Sequence, residues 1–530
     1  MNKTLIERLD ALFAPFNRSD EPGCTVAIAK NSQPIYRRAF GMADLERGIA
    51  NQPSTLMPVG SIAKQFTCAA LLSLRAEGAL SLNDTLAQWL PELPEVHRNV
   101  TLAQLMMHQS GVRCYLDHWM FNGYRTFPRG VPLEIQARQQ SLNFEPGSRT
   151  SYCNGGYLLL SKVIERASGL AFADFVARRI FRPCGMYASH FAAAYDFGSL
   201  AASPYVEGAD AHSWDRALRI TEEAFGDGGL VSNVDDLLRW ARYLRLSRAD
   251  FNLDALSAPD EKAGLGPSDY RFGLIFQKWR GIRVVHHAGG MPGANSILMT
   301  LPDHDIDVVI AFNRTASAMG MAFQALEMLL EDELDKPKDF PATSEFGDLL
   351  GSYWASETDF LFSLTDLDGR LGLSFFGDKP FALDCWEGDP DALPFWADAG
   401  AAQIRFRRGE APGTLEYFDG TAWTRTERIQ SDEEAMDAIV LPAIGHFHSE
   451  EAATTLSFVI EQGQLYIQFV GSTGVIRFRA ETIAKNLLRF WPPLFPAGKL
   501  ARLDQKNGKV RSVIVSTPRS SGIIFTNIAV

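Results

Sequence analysis

The sequence predicts an α+β unit followed by two small antiparallel β-barrel domains. Three observations carry that prediction. Strand signals at both ends of the first 334 residues enclose a long helical middle. A linker rich in proline and charge follows. Beyond it, short alternating strands separated by Gly, Asp and Pro turns run in two copies.

The elements follow in order. In residues 1–16, Leu5, Leu9, Leu12 and Phe13 recur at helical spacing between Glu7, Arg8 and Asp10, which predicts an amphipathic helix. Residues 23–29 read as a strand, and 33–41 as its hairpin partner. Helical runs follow at 61–77, 101–109, 155–168, 172–180 and 234–246. Short β-type runs at 272–279, 283–286, 296–301 and 307–312 come next, then a closing helix at 316–334. Together they predict an antiparallel sheet with flanking terminal helices and an inserted helical subdomain.

The second half contains a repeat. Gly351-Ser-Tyr353 with the run 362–377 matches Gly445-His-Phe447 with the run 456–471. The ungapped register preserves Ser363/Ser457, Gly369/Gly463, Leu371/Leu465, Phe375/Phe469 and Gly377/Gly471. The domain reading is therefore 1–334, a linker at 335–344, and two copies of one β-domain at 345–438 and 439–530.

Composition narrows the function. At 46% hydrophobic and 22% charged, the 530-residue chain is an ordinary globular protein, too long for one core. A net charge of −12 argues against nucleic acid and anionic membranes as partners. No apolar run approaches membrane-spanning length, and the N-terminus lacks a signal-peptide pattern. Six scattered cysteines without a CxxC read as free thiols, so a cytoplasmic location is expected.

Three patterns carry chemistry. Ser61-Ile-Ala-Lys64 opens an apolar helical run, which puts a hydroxyl and an amine on one helix face. An amine held there can take the serine proton, although a serine cap beside a surface lysine reads the same way in isolation. Tyr152-Cys-Asn154 places a phenol and an amide on one side of an extended segment, suited to proton relay and to holding the lysine. His287-Ala-Gly289-Gly290 ends a strand. Its glycines let a substrate backbone approach closely, and the N–H of Gly290 with that of Ser61 forms a candidate oxyanion hole. Metal-ligand spacings, phosphate-binding glycine loops and the Gly-x-Ser-x-Gly elbow are absent, so no metal or cofactor is expected.

In this order and spacing, Ser61-x-x-Lys64, Tyr152-x-Asn154 and His287-x-Gly289 resemble the three motifs of the serine β-lactamase and penicillin-binding protein superfamily. Four further segments resemble it as well: Leu105-Met-Met-His-Gln-Ser-Gly111, Phe144-Glu-Pro-Gly147, Gly228-Gly-Leu-Val-Ser232 and Tyr270-Arg-Phe-Gly273. With two appended β-domains, the chain is similar to the bacterial D-aminopeptidase branch. The resemblance implies Ser61 as nucleophile, Lys64 as general base, Tyr152 as proton donor to the leaving amine, and Asn154 and His287 as organisers. It also implies release of N-terminal D-amino acids from peptides, amides or esters, and susceptibility to β-lactams. A homodimer is expected.

Two departures stand out. A histidine replaces the usual lysine of the third motif, which weakens the case for binding a β-lactam carboxylate. In the D-aminopeptidases a loop of the last domain presents an aspartate to the substrate amine. The stretch here, Arg489-Phe-Trp-Pro-Pro-Leu-Phe-Pro-Ala-Gly498, has no acid. Trp491, Leu494 and Phe495 would make it a substrate-binding loop for apolar or blocked groups. A carboxylesterase, amidase or peptide hydrolase/cyclase for neutral substrates is thus the alternative, and a non-catalytic scaffold a distant one.

Overall fold

The computed structural model describes residues 3–192, 201–210, 212–218, 220–246, 252–253, 256, 269–336, 342–385, 392–393, 395–398, 403–411, 413–429, 445–472, 474–491, 498–507 and 509–528. A seven-stranded antiparallel sheet forms the centre of the first unit. Its spatial order is Tyr270–Arg271, Leu274–Trp279, Ile282–Met291, Ala294–Leu301, Ile306–Phe312, Cys24–Lys30 and Gln33–Phe40. The N-terminal hairpin thus joins the late strands, through Cys24 against Phe312 and Lys30 against Ile306.

Each face of this sheet is apolar. One face packs Val26, Ile28, Ile297, Met299 and Ile310 against Leu9 and Phe13 of helix Lys3–Phe13 and Leu326 of helix Ala318–Leu329. The other face meets the helical subdomain, whose core includes Phe66, Leu71, Leu159, Leu160 and Trp240. Helices Ala63–Ala76 and Asn154–Ser168 run through that core.

Several predicted helices are shorter than their periodic pattern. The run at 101–109 is helical only over Leu102–Met106, because the chain turns left-handed at His108, φ 58°. The run at 172–180 is α-helical to Val176 and widens into a π turn over Ala177–Phe181. Ser61 lies in a 3-10 turn, Gly60–Ile62, that feeds the helix beginning at Ala63. No described helix is long and apolar enough to cross a membrane.

Among the described residues after 341, the first β segment forms two five-stranded antiparallel sheets, and the second forms a closed barrel of eight strands from His446–Ser449 to Ser520–Asn527. Their opening hairpins share one register. Ser352 faces Ser363 and Phe362 faces Phe375 in the first. His446 faces Ser457 and Leu456 faces Phe469 in the second, displaced by the spacing of Gly351 from Gly445. Both hairpins turn through two residues of positive φ, Asp368-Gly369 and Gln462-Gly463, the pattern that matches strand twist.

The barrel docks on the helical subdomain. Phe121 lies 4.9 Å from the ring of Phe469 and 5.8 Å from that of Phe525. Arg113 pairs with Glu451 at 2.6 Å, both buried, and its other amino group donates to the Gly522 carbonyl. The first β segment touches the loop before Tyr152, where Arg149 donates to Glu357 and the hydroxyls of Thr150 and Thr421 meet at 2.6 Å.

Candidate active site

Helix starts and one strand edge position the site. Lys64 stands in the first turn of its helix, fully buried, and its ammonium reaches three oxygens. It donates to Asn154 Oδ1 at 2.6 Å, to the Asp227 carbonyl at 2.5 Å and to Ser61 Oγ at 3.1 Å. The three donors of an ammonium are thereby all used. In the neutral amine, two N–H groups held by Asn154 and Asp227 leave the lone pair aimed at Ser61 Oγ. That arrangement can accept the serine proton.

Aromatic rings enclose the amine. Its nitrogen is 4.8 Å from the ring centre of Tyr152 and 5.3 Å from that of Tyr157. His108 lies 4.3 Å from the Tyr152 ring, and its Nδ1 accepts from the backbone N–H of Cys153. That bond ties the left-handed turn at His108 to the start of the Asn154–Ser168 helix, so Tyr152 and Asn154 are aimed together. Asn154 is the first residue of that helix rather than part of the preceding loop.

His287 belongs to the same wall, with its ring 6.2 Å from that of Tyr152. Nδ1–H donates to the Ala288 carbonyl at 2.6 Å, so Nε2 accepts from the Tyr270 hydroxyl at 3.2 Å. Burial and then the Lys64 charge push the imidazole down to about 3, so the ring is neutral at physiological pH. Burial raises the Tyr270 phenol well above its ordinary value, which keeps it a donor. Asp227 is also buried; its carboxyl is raised by burial and accepts from Tyr115 OH at 2.9 Å.

The strand edge beside Ser61 is open. Ile275 opposite His286 and Trp279 opposite Ile282 place the even-numbered residues of Ile282–Met291 toward Leu274–Trp279. That neighbour ends at Ile275 in the ladder, so the N–H of Gly290 faces away from Ala294–Leu301 along an unpaired edge. The backbones are close here. A Cβ on Gly60 would lie 2.9 Å from the Gly290 nitrogen. The N–H groups of Ser61 and Gly290 can therefore flank one oxyanion.

Gly289 is also constrained by packing. A Cβ there would meet the Val59 carbonyl at 1.9 Å and Ser296 Oγ at 2.5 Å. The missing side chain makes room for the protein's own chain before Ser61, while the residue also lines the larger cavity at Ser61. Ser296 Oγ donates to that same Val59 carbonyl at 2.9 Å.

Two cavities meet at Ser61. The smaller, about 240 Å³, is walled by Tyr115, Met120, Tyr124, Phe225 and Met291, with Asp117, Glu223 and Asp227 among its polar residues. The larger, about 600 Å³, contains Tyr152 and His287 together with Phe360, Tyr417 and Asp419 of the first β segment. Asn154 lines only the smaller and Tyr152 only the larger.

The loop expectation needs correction. Trp491 lines neither cavity; Arg489, which alternates with the core residues Leu488 and Phe490 of its strand, stacks on its ring at 4.7 Å. Leu494 and Phe495 lie outside the described residues. Pro518 and Arg519, in the last hairpin turn of the barrel, line both cavities instead. Sequence reasoning missed Arg519 altogether, whereas Tyr270, His108 and the neighbourhood of Asp227 fall in or beside segments it singled out. Among the described residues, no cluster of His, Cys, Asp and Glu is placed to hold a metal.

Comparison with known proteins gives the family. The Beta-lactamase family model matches residues 9–333. A D-aminopeptidase of Brucella ovis is 30% identical over 460 residues, covering 86% of this chain and 84% of that protein. The D-aminopeptidase of Brucella anthropi is 28% identical over 464 residues, with the same coverage. Among solved structures, the octameric penicillin-binding protein homologue from Pyrococcus abyssi aligns with a TM-score of 0.54 at 21% identity, over 80% of this chain and 99% of its own. A penicillin-binding protein from Bacillus halodurans aligns at 0.53 and 24% identity, over 62% and 100%. These two likenesses concern the fold.

Proposed function

The chain belongs to the beta-lactamase family, and from that premise we propose that it is a serine hydrolase releasing N-terminal D-amino acids through an acyl-serine. The observation that carries the reading is the Lys64 amine, held by Asn154 and Asp227 with Ser61 Oγ at 3.1 Å. Similarity to D-aminopeptidases over 86% of the chain supports the substrate class.

In this mechanism Lys64 takes the Ser61 proton as Oγ bonds to the substrate carbonyl carbon. The oxyanion rests between the N–H groups of Ser61 and Gly290. The C–N bond then breaks, and the leaving nitrogen takes a proton through Tyr152, which Lys64 replenishes. Water hydrolyses the ester by the reverse relay. Neutral His287, fixed by Tyr270 and Ala288, orients the wall without adding charge. The acid that residues 489–498 lack is supplied by carboxylates of the smaller cavity, Asp117, Glu223 and Asp227, facing the substrate amine.

Turnover of D-alanine p-nitroanilide and D-alaninamide against their L-forms tests the proposal. Activity without D-preference, or activity surviving Ser61→Ala, would sink it. The apolar walls of the smaller cavity favour a second reading, an esterase or amidase for neutral acyl groups. Fast hydrolysis of short acyl esters with no amidase activity would select it. Acylation by β-lactams, a cytoplasmic location and a homodimer belong to the same proposal; mass spectrometry, fractionation and sedimentation test them.

A further inference from the structure

Arg519 reaches the site from the far end of the chain. It lies in the turn Thr517-Pro518-Arg519-Ser520, between the barrel strands Lys509–Thr517 and Ser520–Asn527. This turn is fastened at both ends. Thr517 Oγ1 accepts from the N–H of Ser520 at 2.9 Å and donates to Asp117 at 2.6 Å. Asn143 Nδ2 donates to the Arg519 carbonyl at 3.0 Å, and Ser520 Oγ accepts from the N–H of Cys114. The backbone is thus docked on the catalytic unit, so the guanidinium is presented from a fixed base.

Its position identifies what it faces. The guanidinium carbon lies 5.3 Å from the Tyr152 ring centre, and the residue lines both cavities at Ser61. Among the described residues it makes no ion pair and no side-chain hydrogen bond. Arg149, the other arginine of the larger cavity, is already paired with Glu357 and lies 3.6 Å from Asp419. His287 on that wall is neutral. Asp117 stabilises its charge without forming an ion pair with it, so the planar fork of the guanidinium stays open to a ligand carboxylate.

The side of the cleavage follows from Tyr152. If that phenol protonates the leaving nitrogen, the leaving group occupies the larger cavity, which Tyr152 alone of the Tyr152/Asn154 pair lines. One extended residue spans about 3.5 Å, so the α-carboxylate of the first leaving residue falls within reach of a cation stacked on Tyr152. We propose that Arg519 is a specificity-determining residue that binds the free α-carboxylate of the leaving residue. The preferred substrates would then be dipeptides with an N-terminal D-residue, whose leaving residue carries the free α-carboxylate. This rests on the acyl-serine reading above and deepens it.

The test compares D-alanyl-glycine with D-alanyl-glycinamide as substrates of the full chain. The native protein is expected to favour the free acid at least ~10-fold in kcat/KM, chiefly through KM. Arg519→Gln should bring that ratio to about one, and Arg519→Lys should restore part of it. A native ratio of one or less, or a ratio that Arg519→Gln leaves intact, overturns the proposal. A second readout needs no turnover: protection of Ser61 from a fluorophosphonate by glycine against glycinamide. Preferential protection by glycine that Arg519→Gln removes supports the carboxylate site even if neither dipeptide is hydrolysed, in which case only the D-aminopeptidase reading fails. Equal protection by the two overturns the proposal.

Discussion

Lys64 donates to Asn154 Oδ1 across 2.6 Å, joining the first turns of two helices that lie far apart in sequence. The bond is shorter than the one to Ser61, so the amine is oriented chiefly by Asn154 and by the Asp227 carbonyl. Asn154→Ala should therefore lower kcat about 100-fold while Ser61 remains present and folded, as expected when a positioned proton acceptor loses its aim. Circular dichroism and steady-state kinetics on the same preparation check it.

Lys64→Ala removes the amine itself. The expected loss in kcat/KM is about 10³-fold or more, matching that of Ser61→Ala because the two residues act as a unit. The double variant should be no worse than either single one. Additive losses would show that Lys64 does not act on Ser61.

Gly289→Ala forces a methyl group to within 1.9 Å of the Val59 carbonyl. Either the strand or the Gly60–Ile62 turn must shift, and both carry the proposed oxyanion donors. The variant is expected to fold with a lower Tm and to lose activity through kcat rather than KM. Thermal unfolding and kinetics would show it; native values in both would refute it.

Arg113 and Glu451 are both buried and join the helical subdomain to the barrel. Arg113→Ala strands a carboxylate, at a cost of about 3–5 kcal/mol. Since the barrel turn carries Arg519, the variant should become sensitive to limited proteolysis near Gly522 and lose activity together with stability.

Acid should unfold the protein through its histidines. Burial pushes His118 and His287 down to about 3 and His286 to about 4, while unfolded histidine titrates near 6.5. The unfolded chain therefore binds more protons between pH 6.5 and 3, so stability rises with pH through that window and is lost as pH falls. Each of the three contributes up to about 1.4 kcal/mol per pH unit. Denaturant midpoints at pH 7 and pH 5 measure this, and His118→Gln, away from the catalytic residues, should flatten the slope.

The proximity of the proposed catalytic residues was legible because their spacing is local. Ser61 and Lys64 share one helical turn, and Tyr152 and Asn154 are two residues apart, so short-range geometry already aims them. His108, Asp227 and Tyr270 were half legible. Their segments could be singled out, yet nothing local says that His108 accepts from Cys153 or that the Asp227 backbone, rather than its carboxylate, holds Lys64. The helix at 101–109 was overread because periodicity does not register the left-handed turn at His108.

The cavity walls were illegible for a different reason. Trp491 looked like a contact because it is aromatic in a proline-rich loop, but Arg489 covers its ring. Arg519 looked like any hairpin residue. Its role depends on closure of the eight-stranded barrel and on the Arg113–Glu451 and Phe121–Phe469 contacts that dock it.

The sequence by itself determined the α+β unit with its strand and helix periods, and it pointed to the matching register of the two hairpins and to the candidate chemistry at Ser61. These follow from side-chain spacing along one or two elements. Only the tertiary structure decided which groups surround that chemistry. Bringing Asp227, Gly290 and Arg519 to one serine depends on long-range packing between separate cores, and residue spacing carries no trace of that packing.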